Sequence, residues 1–454
     1  MRRQGWLRAL ACALAIAATS QATIQARAEA PAGQTKAFKT TVDYVAHFYP
    51  LWFTYYQSSI TNKPNRLAGP VRVSPLYQIV VAINVDTYYA SAFLDATDGP
   101  AMLTIPSTTV SYSILTLDPY GNTYNLLPKQ TAGLFALTTA DYTGPIPDGA
   151  TRIDMPYDHM VLIFRADKYT STNESEQKEA RAFRRALLLQ PLDKWNGDPT
   201  GGKTAILPEL IFAAPFKTYA DGLIAANPLK FLKQLQKAVL SPNTPAMTPR
   251  EQKLSDNFNA LFGAGGDMSQ FALGAQAAHK LILDDYLNHT DKNNWINFTN
   301  MGTWKPSQFL DRAAITEFIQ YGNNFSTSAY FQTFKDGSGA PLDGANGAVY
   351  VLHLTKNQLP DAERFWSFTA YTPESIELIE NDLKKYDVAS YTPGLTYDQD
   401  GGITLYFSQT QPSGVPQANW LPVSSRPFNI MLRVYGPGPN ISSGDYVPPP
   451  IVKQ

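Results

Sequence analysis

Two stretches with strand-like texture flank a stretch with helical spacing of apolar residues. From about residue 77 to 165, and again beyond residue 323, short runs of β-branched and aromatic residues alternate with polar ones and end at turns. Such short, regularly spaced strands are typical of sandwiches and jelly rolls. Between residues 173 and 322 the apolar residues instead recur every three or four positions, as in helices. We therefore predict an α+β fold, mainly β, with two β-sandwich or jelly-roll-like domains and a helical segment between them.

The same patterns predict the individual elements. Lys36–Ser59 has the spacing of an amphipathic helix, which we expect Pro50 to interrupt. The predicted strands are Gln78–Val85, Tyr88–Leu94, Ala101–Ile105, Tyr112–Leu117, Leu134–Thr138, Met160–Arg165, Ala348–Leu354, Arg364–Tyr371, Ile403–Ser408 and Phe428–Tyr435. The predicted helices of the central segment are Glu174–Leu189, Pro228–Leu240, Thr248–Phe262, Gln270–Asn288 and Ser307–Tyr321.

These elements divide the chain into six parts. A signal peptide is predicted over residues 1–28, an N-terminal helix over 36–60, an N-terminal β domain over 70–170, a helical segment over 171–322, a C-terminal β domain over 323–437 and a Pro-rich tail over 438–454.

The first 28 residues have the features of a secretory signal peptide. Arg2 and Arg3 precede an apolar run that ends near Ala18, and small residues suited to cleavage follow. The run is shorter than the roughly 20 residues that span a bilayer, and no later run is apolar enough, so we predict no transmembrane anchor. We expect a periplasmic or secreted protein, with Sec and Tat export both open. Cys12, the only cysteine, lies in this leader, so the mature chain has no disulfide.

Composition and motifs argue against several classes of function. The net charge of -1 and the lack of a basic run after the leader argue against nucleic-acid binding. The sequence has no Gly-x-Ser-x-Gly elbow, no His-Glu-x-x-His pair and no glycine-rich phosphate loop between a strand and a helix. The five histidines are scattered. We therefore predict no metal site and no cofactor.

The densest group of polar residues lies at the start of the second predicted strand. Alternation places Asn84, Asp86 and Tyr88 on one strand face, and Asp95 follows. These side chains would suit a polar or carbohydrate-like ligand, or supply a general base if burial raises the pKa of Asp86. The alternative is a buried hydrogen-bond network that only holds a turn. The candidate catalytic residues are Asp86, Tyr88 and Arg433.

Cations and aromatic residues on other strands supply further candidate ligand contacts. Arg165 and Arg433 each end an apolar strand, and we expect them to face the acids. An arginine–carboxylate pair is more often structural than catalytic. Aromatic rings stack on sugars or apolar ligands, although core packing is the commoner role. The candidate ligand-binding residues are Asn84, Asp95, Arg165, Trp366, Tyr371 and Tyr435, with Trp420 as a further aromatic residue.

Several motifs resemble a family that pairs a domain of unknown function, DUF1254, with a second one, DUF1214. The first domain is indicated by Asn84-x-Asp86-Thr87-x-Tyr89-x-Ser91-x-Phe93-Leu94-Asp95, by Asp118-x-Tyr120-x-Asn122 and by Gly144-Pro145-x-Pro147-x-Gly149. The second is indicated by Phe365-Trp366-Ser367-Phe368-Thr369-x-Tyr371, Asn419-Trp420-Leu421-Pro422 and Leu432-Arg433-x-Tyr435. The resemblance implies two β-sandwich domains in an often exported protein and no agreed reaction. In the family, an arginine often precedes an aromatic pair in the strand that here reads Thr109-Val110-Ser111-Tyr112. This sequence has no arginine there, so any site role of that arginine does not apply to this chain.

Three functional hypotheses remain open at this point. The first is an exported protein that binds a small polar or carbohydrate-like ligand in a pocket of the β domains. The second is a cofactor-independent, hydrolase-like enzyme that uses Asp86 with Tyr88 or Arg433. The third is a structural protein that assembles with copies of itself through aromatic strand faces.

Overall fold

The computed structural model describes residues 35–61, 63–169 and 174–454. The predicted signal peptide lies outside these residues. Within the described part, nine α-helices and 18 strands form two β-sandwiches and a helical layer. The predicted class, α+β with two sandwich-like domains, is confirmed. None of the described helices is both long enough and apolar enough to cross a membrane.

The N-terminal sandwich is built from two sheets. The first has the order β10-β1-β2-β8-β4-β5 and the second the order β7-β6-β3-β9. Their facing sides enclose one apolar core, to which β2 contributes every second residue, such as Tyr88 and Leu94. The strands are β1 Ala68–Pro70, β2 Thr87–Asp95, β3 Ala101–Ile105, β4 Tyr112–Leu117, β5 Thr123–Tyr124, β6 Gly133–Thr139, β7 Ala150–Met155, β8 His159–Asp167, β9 Leu188–Pro191 and β10 Ala205–Leu207.

The C-terminal sandwich also consists of two sheets that face each other. One sheet has the order β11-β17-β13-β14 and the other β16-β15-β12-β18, and their facing sides enclose a second core. The strands are β11 Ser328–Thr333, β12 Tyr350–Leu354, β13 Ala362–Tyr371, β14 Asp387–Ala389, β15 Ile403–Ser408, β16 Trp420–Pro422, β17 Asn429–Pro437 and β18 Val452–Lys453.

Most of the helices form a layer that covers the outer face of both sandwiches, whereas the helix Glu174–Ala186 contributes Ala180 and Phe183 to the N-terminal core. Their bounds are α1 Lys36–Thr61, α2 Glu174–Ala186, α3 Leu192–Gly197, α4 Phe216–Ala226, α5 Pro228–Val239, α6 Pro249–Gly263, α7 Met268–Asn288, α8 Phe309–Phe318 and α9 Pro439–Ser442. The largest apolar core joins α1 and the central helices to the outer face of β2, at Tyr89, and to β11 and β17, at Tyr330 and Met431. The helical residues therefore lie against both domains and hold them together.

Three sequence predictions about these elements are wrong. Helix α1 continues through Pro50, which is buried; packing against α5 to α8 outweighs the roughly 3 kcal/mol penalty of an interior proline. The predicted helix over 174–189 ends at Ala186, and Leu188–Pro191 pairs with β3 instead.

The third error is the predicted strand Gln78–Val85, which is a succession of turns. Its backbone groups bond elsewhere: the N–H of Ala82 donates to the carbonyl of Ile376, and that of Val81 to the side chain of Gln320. Ala82 has a φ of 50°, outside the strand region. The segment is apolar because it is buried between the two domains, and a short apolar run alone does not distinguish that from a strand.

Candidate functional site

A cavity of about 520 Å³ lies where the two sandwiches and the helical layer meet. Its walls come from the end of α1, the turn segment 77–84, the outer faces of β2 and β8, the turn 209–212, and strands β11 and β17. Most of the wall is aliphatic or aromatic. The volume lies within the roughly 300–1,000 Å³ that is usual for small-molecule sites.

One end of the cavity is buried and polar. Arg165 from β8 and Arg433 from β17 line it, and their side chains are 5% and 1% exposed. Asn84 and Tyr435, also buried lining residues, are joined by a hydrogen bond of 3.0 Å from Asn84 Nδ2 to the phenol oxygen. Arg165 comes from the first domain and Arg433 from the second, so both domains build this end.

Neither guanidinium has an acidic partner. Arg165 donates to Asn323 Oδ1 and to the carbonyl of Tyr321, both at 2.8 Å. Arg433 donates to the carbonyl of Ala82 and to Thr369 Oγ1. Within the described ranges, no carboxylate oxygen lies within the 4.0 Å of an ion pair from either arginine; the arginine ion pairs are those of Arg72, Arg152 and Arg364.

Phenol groups also surround the two arginines. Tyr89, Tyr330 and Tyr435 all line the cavity beside the guanidinium groups. Burial, reinforced by the neighbouring phenols, raises the pKa of Tyr435 well above its usual value even though Arg165 and Arg433 oppose that rise. The polar end therefore combines two guanidinium groups with phenol hydroxyl groups.

The other end of the cavity is open to solvent. Ile60, Lys63, Arg66 and Ile211 are exposed and line it. A ligand that fills the cavity would therefore have one end against the arginines and the other at the protein surface.

The structure separates the three predicted catalytic residues. Asp86 is 1% exposed and does not line the cavity; it accepts hydrogen bonds from Ser367, at 2.6 Å, and from Tyr391. Tyr88 lies on the opposite face of the sheet, where its hydroxyl meets Gln177 and Arg181. Asn84 and Asp86 are in contact through the backbone N–H of Asp86, but Tyr88 does not share their surroundings.

Asp86 belongs to a network that connects the two domains. Its partners include Asp387 on β14 and Lys168 after β8, both half-buried. Burial and the neighbouring Asp86 carboxylate raise the pKa of Asp387 to about 8, whereas burial lowers the pKa of Lys168. The geometry matches the alternative that the sequence left open for Asp86, a buried hydrogen-bond network.

The remaining predicted ligand contacts lie outside the cavity. Trp366 packs in the C-terminal core, and Trp420 donates its indole N–H to the carbonyl of Ser408. Tyr371 donates to the carbonyl of Ile83 at 2.6 Å and lies beneath Arg433. Asp95 lies 3.3 Å from His159 and lines a smaller cavity of about 220 Å³.

Sequence reasoning missed a second polar cluster, which is buried in the helical layer. Lys217 on α4 bonds to Asp221, at 2.8 Å, and to Glu317 on α8. His279 Nε2 on α7 lies 3.3 Å from Asp221 Oδ1 and 3.5 Å from Glu317 Oε1, and Tyr49 donates to Glu317 Oε2. Only the i,i+4 spacing of Lys217 and Asp221 is visible in the sequence.

Ligand atoms of Asp221, His279 and Glu317 lie within 4.8 Å of one another, a spacing that suits a metal ion. However, the ammonium group of Lys217 already bonds to both carboxylates. Two carboxylates, the ammonium and a protonated imidazole balance in charge, so the cluster needs no metal for charge neutrality, although Asp221 Oδ1 and His279 Nε2 form no hydrogen bond within the described residues.

Comparisons with known proteins agree with this architecture. Residues 64–191 match the family described as protein of unknown function DUF1254, and residues 327–439 match the one described as protein of unknown function DUF1214. The VPA0106 protein from Vibrio parahaemolyticus has a crystal structure with a TM-score of 0.58 at 19% identity, over 92% of this chain and 100% of that one. A crystal structure of an uncharacterized protein from Burkholderia cenocepacia gives a TM-score of 0.44 at 14% identity, over 92% and 94%. A comparison with curated proteins gives no match.

The fold and the cavity define a protein of two β-sandwich domains joined by a helical layer, with one pocket built by both domains. The two family matches occur in the predicted order and together span more than half of the chain. The chain belongs to the family that pairs DUF1254 with DUF1214, as the sequence motifs predicted.

Proposed function

We propose that this is an exported protein that binds a small amphipathic carboxylate in the cavity between its two sandwiches. The observation that carries the proposal is the pair of buried guanidinium groups, Arg165 and Arg433, which face one cavity without an acidic partner among the described residues. Buried charges are normally paired, because removing an ion from water is costly. An anionic group at the polar end would supply the missing partner.

The convergence of two arginines on one cavity distinguishes this site from other buried arginines. Arg184 and Arg312 are also buried and form no ion pair with any described residue. Neither lines the cavity, and each donates to a backbone carbonyl within the packed protein. Arg165 and Arg433 combine burial with an open volume in which a ligand fits.

The aliphatic and aromatic walls determine the rest of the ligand. Ile79, Phe93, Leu207 and Phe212 are among the side chains that line the space between the polar end and the opening. A sugar would leave many hydroxyl groups without partners against such walls, at about 1–3 kcal/mol each. The proposal therefore refines the polar or carbohydrate-like ligand predicted from the sequence: a carboxylate head with an apolar tail fits these walls better.

The test is calorimetric titration of the mature protein with decanoate and with decanol, which differ in the head group. We expect decanoate to bind and decanol to bind much more weakly. Because a hydrogen bond to a charged group contributes about 1.5–3 kcal/mol, Arg433→Met should raise the Kd for decanoate roughly 10- to 150-fold. Arg433→Lys, which keeps the charge, should lose less.

Arg250→Met is the matched control, since Arg250 is exposed and does not line the cavity. Its Kd should equal that of the unmodified protein. Equal affinities for decanoate and decanol, or equal losses in Arg433→Met and Arg250→Met, would refute the proposal. If a disaccharide binds and decanoate does not, the result would favour the carbohydrate-like ligand instead.

A further inference from the structure

An apolar rim lies beside the open end of the cavity. Leu210 and Ile211, in the short turn Glu209–Phe212, are 75% and 60% exposed. Ile60, at the end of α1, is 40% exposed, and it lines the opening together with Ile211. Exposing large aliphatic side chains to water to this extent is unfavourable, and covering them with another apolar surface would be favourable.

Two exposed cations flank this rim. Lys63 and Arg66 line the same opening, and neither forms an ion pair with the parts of the chain that the structure describes. The nearby charge of Arg72 is neutralised by Glu209. The opening is therefore locally cationic, although the whole chain has a net charge of -1.

We infer that the rim docks on an anionic lipid surface, from which the ligand enters the cavity. The ligand class in this inference rests on the function proposed above. Protruding aliphatic side chains beside basic residues are the pattern of interfacial membrane binding, with the apolar groups in the acyl boundary and the cations at the lipid head groups. An amphipathic carboxylate partitions into such a surface, so the opening faces the place where the ligand is concentrated.

A second copy of the chain fits the rim less well. A stable dimer buries about 800 Å² on each partner, and its centre is enriched in aromatic residues. The rim offers a few aliphatic side chains on a narrow turn. Its flanking positive charges would also repel the same charges on a copy.

The test is flotation of the mature protein with two kinds of vesicle: phosphatidylcholine alone, and equal parts of phosphatidylcholine and phosphatidylglycerol. We expect binding to the anionic vesicles that falls steeply as salt is added. Each basic residue near an anionic surface favours binding by roughly fivefold, so the double variant Lys63→Gln/Arg66→Gln should bind roughly 30-fold less. Leu210→Ser/Ile211→Ser should also lose binding.

Matched controls carry the same changes elsewhere. Leu273→Ser alters an exposed leucine of α7, and Lys230→Gln/Lys233→Gln removes two exposed charges from α5. Both should float like the unmodified protein. No flotation, equal flotation with both vesicles, or equal losses in the rim and control variants would each overturn the inference.

The docking inference and the proposed function can fail separately. Leu210→Ser alone changes a rim residue that does not line the cavity, so this variant should float less but still bind decanoate in solution. If the unmodified protein does not bind decanoate, the proposed function is wrong. The flotation experiment still tests the docking surface in that case. If the rim variants convert a dimer into a monomer on size exclusion, the rim is a contact between copies and the inference is wrong.

Discussion

The buried cluster of Lys217, Asp221, His279 and Glu317 makes the stability of the protein depend on pH in a calculable way. Burial alone would lower the pKa of His279, but its contacts with Asp221 and Glu317 raise it from 6.5 to about 9. Folding therefore favours the protonated imidazole. A rise of this size corresponds to about 3 kcal/mol of stability.

The sign of the effect follows from linkage. Because the folded pKa lies above the unfolded value, the contribution of His279 is fully present below pH 6.5 and is lost as the pH rises through about 9. Glu317 behaves in the opposite sense: burial would raise its pKa, yet Lys217 and His279 hold it below the usual value, so its contribution is lost only in acid. The window from pH 6.5 to 9 therefore includes the loss of the His279 contribution, and Asp387, with a pKa of about 8, also titrates within it.

The perturbation is His279→Gln, which removes the charge and keeps a polar side chain. We expect the variant to be less stable than the unmodified protein by about 3 kcal/mol at pH 6 and by much less at pH 10. The assay is urea denaturation at both pH values, with the histidine ring signals followed by NMR to give the pKa directly. The difference between the two proteins removes the contribution of titrating groups that do not contact His279, such as Asp387.

His353→Gln is the matched control, because His353 is 48% exposed and lies on the edge region of the C-terminal sandwich. Its stability difference at pH 6 should be small. A destabilisation of His279→Gln that is the same at pH 6 and pH 10, or an NMR pKa for His279 near 6.5, would refute the reasoning.

Three further predictions follow from other sites. Asp387→Asn should become more stable relative to the unmodified protein as the pH rises from 4 to 9, because a folded pKa of about 8 means that stability is lost through that range; thermal melts against pH check this. Asp86→Asn should lower the melting temperature, since the amide leaves only one acceptor oxygen for the hydroxyl groups of Ser367 and Tyr391, but leave the Kd for decanoate unchanged in calorimetry. Gly69→Ala should destabilise the fold by more than about 1 kcal/mol in urea, because its Cβ would collide with the carbonyl of Tyr89, whereas Gly222→Ala, with open space around it, should not.

The sequence predicted most of the regular elements because their patterns are local. Strands such as Ala101–Ile105 and Ile403–Ser408 were predicted with the bounds that the structure has. Helix α4 was missed, since Phe216–Ala226 is short and follows a proline-rich turn. The segment 78–85 was wrongly predicted to be a strand, because its residues are apolar for another reason: they are buried between the two domains. That burial depends on contacts with residues about 240 to 300 positions away, which the local pattern does not show.

The candidate site was predicted only in part, for a related reason. Asn84, Arg165, Arg433 and Tyr435 were chosen one by one as polar residues on apolar strands, and the structure brings these four together at the polar end of the cavity. The expectation that Arg165 and Arg433 face acids was wrong, because the candidate acid Asp86 accepts hydrogen bonds from Ser367 and Tyr391 instead. Strand alternation gives the face of a side chain but does not identify which distant segment covers that face.

The position of the polar end has a consequence for how the two domains act together. Arg165 belongs to the first domain, Arg433 to the second, and the hydrogen bond between Asn84 and Tyr435 already crosses the boundary. Without a ligand, two like charges from the two domains share a buried volume and oppose their contact. An anion between them would reverse this effect, so a bound carboxylate stabilises the interface between the domains as well as its own site. A pocket assembled from both domains also explains, in physical terms, why neither domain alone contains a complete site.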